Sequence, residues 1–199
     1  LVLSLLFSTF SYALNWDFDL FGAAGYGRST VSTQSSTEPK TTQYFGGAAI
    51  GVSPFRIFSL GGLTDYRFVQ QITEANAASF GNRTGTRWNQ VSPYFDINLG
   101  PLRFRGIYQF LGDYTLKNQT SSGSSISYTS PKGYRGEAHI CLIRGRERFY
   151  KIPGKCLFYG GVHYEELKFS GEQLDQLPPE ALAQPLIMKH IGATFGFGF

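Results

Sequence analysis

The side chains that could do chemistry in this chain are few. They are His139, His163 and His190, a scatter of acids, and the cysteines Cys141 and Cys156. The densest grouping is Glu137, His139, His163 and Glu165, on neighbouring predicted strands, with Ser170 close by in sequence. Nucleophilic catalysis needs a nucleophile, a base and an orienting acid within hydrogen-bond reach, and this grouping is the best candidate for such a set. A histidine facing a polar interior is more often a hydrogen-bonded structural residue than a base, so no catalytic residue is assigned. The His and acid positions also lack the tight spacing of metal ligands. No metal or cofactor is expected. Cys141 and Cys156 flank a predicted turn at nearly equal distances from its centre, which in an antiparallel hairpin sets them opposite one another within disulfide range. Strict alternation puts them on different faces, so a bridge between them requires a bulge in the hairpin.

The elements that would position these residues read as β-strands. Among 199 residues there are 24 Gly, 18 Phe and 12 Tyr but a single Met, a composition that favours sheet over helix and suits one domain. The formal charge of +4 is spread without any run of Lys or Arg, so nucleic acid is not an expected partner. Residues 1–13 read as an exported leader: Leu1 to Phe10 is apolar and Ser11-Tyr12-Ala13 is a small-x-small cleavage site. No Met or basic stretch precedes it, so the precursor is expected to begin upstream. The leader is shorter than the about 20 apolar residues a membrane-spanning helix needs, and no later stretch reaches that length.

Beyond residue 13, segments of period-two alternation are separated by polar stretches at 28–43, 70–88, 117–132 and 170–187. Between successive polar stretches lie a strand, a short turn and another strand. The turns fall near Ser53-Pro54, at Leu99-Gly100-Pro101 and around Gly145 to Gly154, where Pro and Gly end strands. Eight strands follow, near 15–27, 44–53, 56–69, 89–99, 101–115, 133–144, 156–169 and 188–199, each long enough to cross hydrocarbon at a tilt. Four long loops alternating with three turns is the pattern of an up-and-down transmembrane barrel with short periplasmic turns and long external loops. Residues 14–199 would form this one barrel domain.

A membrane barrel turns its apolar face outward, a soluble one inward. In the first strand Trp16, Phe18, Leu20, Ala24 and Tyr26 oppose Asp17, Asp19, Ala23 and Gly25. In the third, Phe58, Leu60, Tyr66 and Phe68 oppose Ser59, Gly61, Asp65 and Arg67. In the fifth, Leu102, Phe104, Tyr108, Phe110 and Tyr114 oppose Arg103, Arg105, Gln109 and Asp113. Tyr26, Tyr44, Tyr66, Tyr114, Tyr134 and Tyr164 are predicted to form an outer aromatic girdle, and Trp16, Phe58, Phe104, Phe158 and Phe197 an inner one. The predicted lumen carries charges in two layers. Asp17, Asp19, Asp96, Arg103 and Arg105 lie toward the turns; Asp65, Arg67, Arg135, Glu137, His163, Glu165 and His190 lie toward the loops. Phe21, Ala49, Ile107 and Leu111 would separate the layers. Mixed signs favour a salt-bridged plug over a charge-selective pore.

At the C-terminus His190-x-Gly192-x-x-Phe195-x-Phe197, followed by Phe199, resembles the insertion signal read by the bacterial barrel-assembly machinery. With the loop and girdle pattern, the whole chain resembles small eight-stranded outer-membrane proteins of the OmpA, OmpX and OmpW type. The resemblance implies a Gram-negative outer membrane, contact with its lipid and lipopolysaccharide, and assembly partners and periplasmic chaperones during biogenesis. It also implies an external ligand, if there is one, held by the loops. The expected role is structural or surface-interaction. The alternatives are a narrow pore or small-molecule binder, a lipid-modifying enzyme and a secreted lipocalin-like barrel. Against the enzyme, no His-x-Ser motif of the lipid A deacylase kind occurs. The Asn82 and Asn118 sequons carry no meaning in a bacterial barrel, the stretch around Pro178-Pro179 reads as irregular with a short helical cap as the alternative, and the glycines around Gly46-Gly47 read as close packing.

Overall fold

The structure is a computed structural model and describes residues 15–31, 40–55, 57–72, 83–118, 125–144, 156–174 and 186–199. The predicted leader, residues 1–13, lies outside these residues, as does most of the third turn. The described strands are β1 (Asn15–Val31), β2 (Lys40–Phe55), β3 (Phe58–Ile72), β4 (Arg83–Leu99), β5 (Leu102–Gln109), β6 (Leu111–Asn118), β7 (Ser125–Arg144), β8 (Cys156–Leu174) and β9 (Leu186–Gly198). β5 and β6 are two halves of one stave broken at Phe110, so the cylinder has eight staves. Each pairs antiparallel with its neighbours in chain order, and β9 returns to β1 from Asp19↔Gly198 to Val31↔Leu186. Phe18 and Phe199 exchange both backbone hydrogen bonds, at 3.3 and 2.7 Å, so the last residue closes the seam. Closure leaves no unpaired edge, which a lipid surround requires.

Every stave alternates because side chains on a strand point to opposite faces. In β1 Trp16, Phe18, Leu20, Ala24 and Tyr26 face outward while Asp19, Phe21, Ala23 and Gly25 are buried in the bore. From Trp16 to Tyr26 the strand rises about 33 Å; at a tilt of about 40° that is about 25 Å of height, the thickness of an outer-membrane apolar band. The tight turn after β4 is made by Gly100, whose φ of 62° suits a residue without a Cβ.

The staves are longer than the sequence pattern implied. Strand pairing runs into all four stretches expected to be loops: 28–31 and 40–43, 70–72 and 83–88, 117–118 and 125–132, and 170–174 with 186–187. These stretches are polar because many of their residues line a charged bore or project beyond the apolar band. Pairing itself depends on backbone groups and not on apolar alternation.

One expectation about parity fails for a local reason. Gln90 and Val91 both face outward, as do Phe110 and Leu111 on the adjacent stave. Pairing slips between Asn89 and Val91, where one extra residue sits in β4 against one extra in the neighbouring stave. The two compensate, since Tyr94↔Ile107 on one side and Asn89↔Gly112 on the other belong to one continuous register. Beyond this paired bulge the faces of the stave are exchanged. Tyr114 is therefore not a girdle residue but lies inside at 1% exposure, whereas Asp113 faces out. Leu111, expected between the charge layers, is on the lipid face at 44% exposure.

Candidate functional site

Four layers fill the bore. Nearest the turns, Arg105 grips Asp96 through two hydrogen bonds, both 2.7 Å, and reaches Asp19 at 2.5 Å; Arg103 meets the same Asp19 carboxylate at 2.9 Å. A bidentate guanidinium–carboxylate contact is among the stronger hydrogen-bonded pairs. Asp17, only half-buried, accepts from Ser53 and Ser59 at the rim. Above this layer Phe21, Ala23, Phe45, Ala49, Leu63, Tyr94, Ile107 and Tyr159 pack into an apolar cluster. The guanidinium of Arg103 stacks on Tyr159 at 3.9 Å and that of Arg105 on Tyr94 at 4.3 Å, so the two layers interlock through cation–π contacts.

The third layer is the densest. Glu165 accepts from Arg67 at 2.7 Å and from Arg87 at 3.1 Å, and Gln109 donates to it at 2.9 Å. Asp65 receives Arg67 at 2.6 Å, Arg135 at 2.9 Å and Asn89 at 2.8 Å. Arg135 also lies 2.9 Å from Glu137. Arg67, Arg87 and Arg135 thus face Asp65, Glu137 and Glu165, a charge-balanced set in which each guanidinium is fully buried. A buried charge is tolerable only when paired, and this balance is what holds six ions in a narrow bore. Arg67 and Arg135 also lie over the Phe45 ring, at 4.0 and 5.0 Å. His190 hydrogen-bonds Thr41 at 2.9 Å, and His139 pairs with Thr194 at 2.8 Å. His163 packs edge-on against Phe45 between Gly25 and Gly192; a Cβ on Gly192 would come within 2.6 Å of its ring, so the glycine makes the seat for the imidazole.

The fourth layer closes the loop end. Val69, Tyr114, Leu116, Tyr128, Leu167, Phe169, Leu186 and Met188 form a second apolar cluster, with Tyr114 and Phe169 ring centroids 5.5 Å apart.

The sequence-named lumen residues Asp19, Asp65, Arg67, Asp96, Arg105, Arg135, Glu137, His163, Glu165 and His190 are all buried, with Asp17 and Arg103 half-buried. The arrangement does not form a catalytic set among the described residues. Glu165 is occupied by two arginines, His139 by Thr194 and the 3.4 Å contact to Glu137, and each of these side chains is at most 7% exposed. The side chain of Ser170 lies outside those described. No group of three or more His, Cys, Asp or Glu among the described residues could hold a metal ion. Arg87 and Asn89 belong to the third layer, although sequence reasoning left Arg87 in a loop. The alternation Gly85, Arg87, Asn89 against Trp88 and Gln90 carried the signal, and the parity break at Gln90-Val91 hid it. Tyr114 and Leu116 of the upper apolar cluster were missed for the same reason, whereas Val69, Leu167, Phe169 and Met188 continue the unbroken parity of Arg67, Glu165 and His190.

Cys141 and Cys156 form a disulfide with Cα atoms 5.6 Å apart. Register shifts between Cys141 and Ile143 and between Ile143 and Arg144 supply the bulge that brings the two residues together.

Outside, the wall is apolar. Trp16, Tyr26, Tyr44, Tyr66, Phe104, Tyr134, Tyr164 and Phe197 are all at least 42% exposed, with Phe58 and Phe158 half-buried on the same face. Trp88 joins the outer girdle beside Tyr66, its pairing partner. Charges inside and large apolar side chains outside is the reverse of a soluble protein's arrangement.

No family model matches the sequence, and neither does any curated protein. Among solved structures, the Neisserial surface protein A (NspA) aligns over 92% of this chain and 97% of its own at 10% identity, with a TM-score of 0.58. The fold is that of the small eight-stranded outer-membrane barrels. The attachment invasion locus protein Ail of Yersinia pestis, solved with the heparin analogue sucrose octasulfate, aligns over 92% of this chain and 99% of its own at 12% identity, with a TM-score of 0.49. OprG, an outer-membrane protein of Pseudomonas aeruginosa, aligns over 92% and 95% at 11% identity, with a TM-score of 0.43.

Proposed function

We propose that this chain is an integral protein of a bacterial outer membrane whose role is structural or surface-interacting: a stiff, plugged cylinder that carries polar connections on the outside of the cell. The observation that carries this reading is the filled bore. Among the described residues two ion-paired layers and two apolar clusters occupy it, and the side chains that link the ion-paired layers along one wall, Arg103, His139, Glu137 and Arg135, are closed on one another by contacts of 2.9 to 3.4 Å. An eight-stranded cylinder has room for little beyond its own side chains. Recognition would then fall to the connections at the loop end, since loops on a rigid scaffold are where binding residues gather. A disulfide at the turn end fits export to an oxidising compartment.

Reconstitution into planar bilayers tests the plug. The wild-type protein should show no stable conductance, and single-channel steps at modest voltage would favour the narrow-pore reading. Outer-membrane fractionation with heat-modifiable gel migration tests location. A chain that remained in solution without detergent would favour the soluble lipocalin-like alternative, and altered lipid A after overexpression the enzymatic one.

A further inference from the structure

The outer wall carries a groove that neighbouring side chains do not fill, and a basic pair sits just above it. The groove is a shallow depression open to the surroundings, with a volume of about 510 Å3. Its floor is Gly136 on β7; the cross-strand partner Gly106 on β5 is covered by the Phe95 ring, which with its neighbour Leu60 forms one wall, and the pair Tyr108↔Tyr134 bounds the loop end. Gly136 opens onto free space: a Cβ there would meet nothing within 4 Å.

Two residues beyond Tyr134 on the same face is Lys132, and Lys132 pairs directly with Lys168 on β8. Like charges directly opposite in a sheet destabilise it. Both lysines are exposed, and neither has an ion pair among the described residues. The acid nearest along the strand, Glu166, is already engaged: Lys189 lies 3.4 Å away, and the hydroxyls of Tyr164 and Tyr134 donate to it at 3.1 and 3.4 Å. Among the described residues the lysine pair thus has no counter-charge, at the height where the tyrosine girdle marks the headgroup boundary.

We propose that this surface is a binding site for one phosphorylated glycolipid of the outer leaflet, with an acyl chain lying over Gly136 against the Phe95 ring and a phosphate held between Lys132 and Lys168. The site rests on the reading of the outward face as lipid-facing. It deepens that reading by naming the lipid class and the residues. Chain and headgroup are recognised by separate features four residues apart on β7, Gly136 and Lys132, so a lipid with both fits, and one lacking the phosphate loses the lysine contribution.

The test is native mass spectrometry of the detergent-purified protein titrated with lipid A, with dephosphorylated lipid A, and with phosphatidylglycerol. A surface lysine contributes enough that losing both should weaken lipid A retention about 30-fold. Lys132→Gln/Lys168→Gln should therefore lower lipid A binding by about that factor and leave dephosphorylated lipid A unchanged. Gly136→Leu, which fills open space, should weaken both forms. Heat-modifiable migration reports separately that each variant is folded. Equal lipid A retention by wild type and both variants would overturn the site, and phosphatidylglycerol bound as tightly as lipid A would overturn the glycolipid assignment. A wild-type chain soluble without detergent would instead sink the membrane reading beneath it.

Discussion

Glu165→Gln is the most informative single substitution, because it keeps shape and removes one charge from the centre of the bore. Glu165 is the acid shared by Arg67 and Arg87, at 2.7 and 3.1 Å, with no exposed surface on any of the three side chains. After the change Arg67 still has Asp65 at 2.6 Å, but Arg87 retains only neutral amide oxygens, those of Gln109, Asn89 and the substituted side chain itself. A buried guanidinium without its carboxylate typically costs about 3–5 kcal/mol. Arg87→Met alone should cost less, since Glu165 keeps Arg67. The double variant Arg87→Met/Glu165→Gln should recover a substantial part of the Glu165→Gln loss, because it again leaves Arg67 and Arg135 facing Asp65 and Glu137. The assay is urea unfolding in micelles or bilayers, followed by gel mobility of the folded form and by the fluorescence of Trp16 and Trp88. Cooperative coupling between the two sites is the expected signature. A Glu165→Gln loss below about 1 kcal/mol, or strict additivity in the double variant, would refute the charge-balance argument.

Three further outcomes follow from the layers and the outer face. Leu20→Arg, midway between Trp16 and Tyr26 on the outward face, should destabilise the inserted barrel by about 2–4 kcal/mol, whereas Lys117→Arg, outside the apolar band, should be near neutral in the same titration. Phe169→Ala should cost about 3–5 kcal/mol by opening a cavity in the upper cluster, and a near-zero effect would show that this end of the bore is not packed. Cys141→Ser/Cys156→Ser, or reduction of the wild type, should lower stability by about 3 kcal/mol, as expected for a loop of 15 residues in the chain-entropy account. Thiol labelling before and after reductant checks that the bridge was present.

Much of this cylinder could be read in advance where alternation is strict and the two faces differ in kind. β1 is the clearest case: Trp16, Phe18, Leu20 and Tyr26 against Asp19, Phe21 and Gly25 needs only a period of two. The lumen charges followed from the same parity, so most of the two ion-paired layers was legible, although which arginine meets which acid depends on stagger between staves and was not. Legibility failed at Gln90-Val91 and Phe110-Leu111, because a paired bulge leaves no mark on hydrophobicity when an apolar residue occupies each of the two outward positions of one stave. Tyr114 was misassigned for that reason alone. The ends of the staves were invisible for another: Thr41 and Gln43 are polar, fully buried and hydrogen-bonded within the bore, and composition cannot separate such residues from a solvated loop.

The compensated bulge between β4 and its neighbouring stave also gives that stave two kinds of surface. Toward the turns Phe104, Tyr108 and Phe110 face out over Arg105 and Gln109; beyond it Tyr114 and Leu116 turn inward while Asp113 and Lys117 face out. Because pairing on either side stays in one register, substitutions on the outward positions beyond the bulge leave the strand pairing beneath it undisturbed.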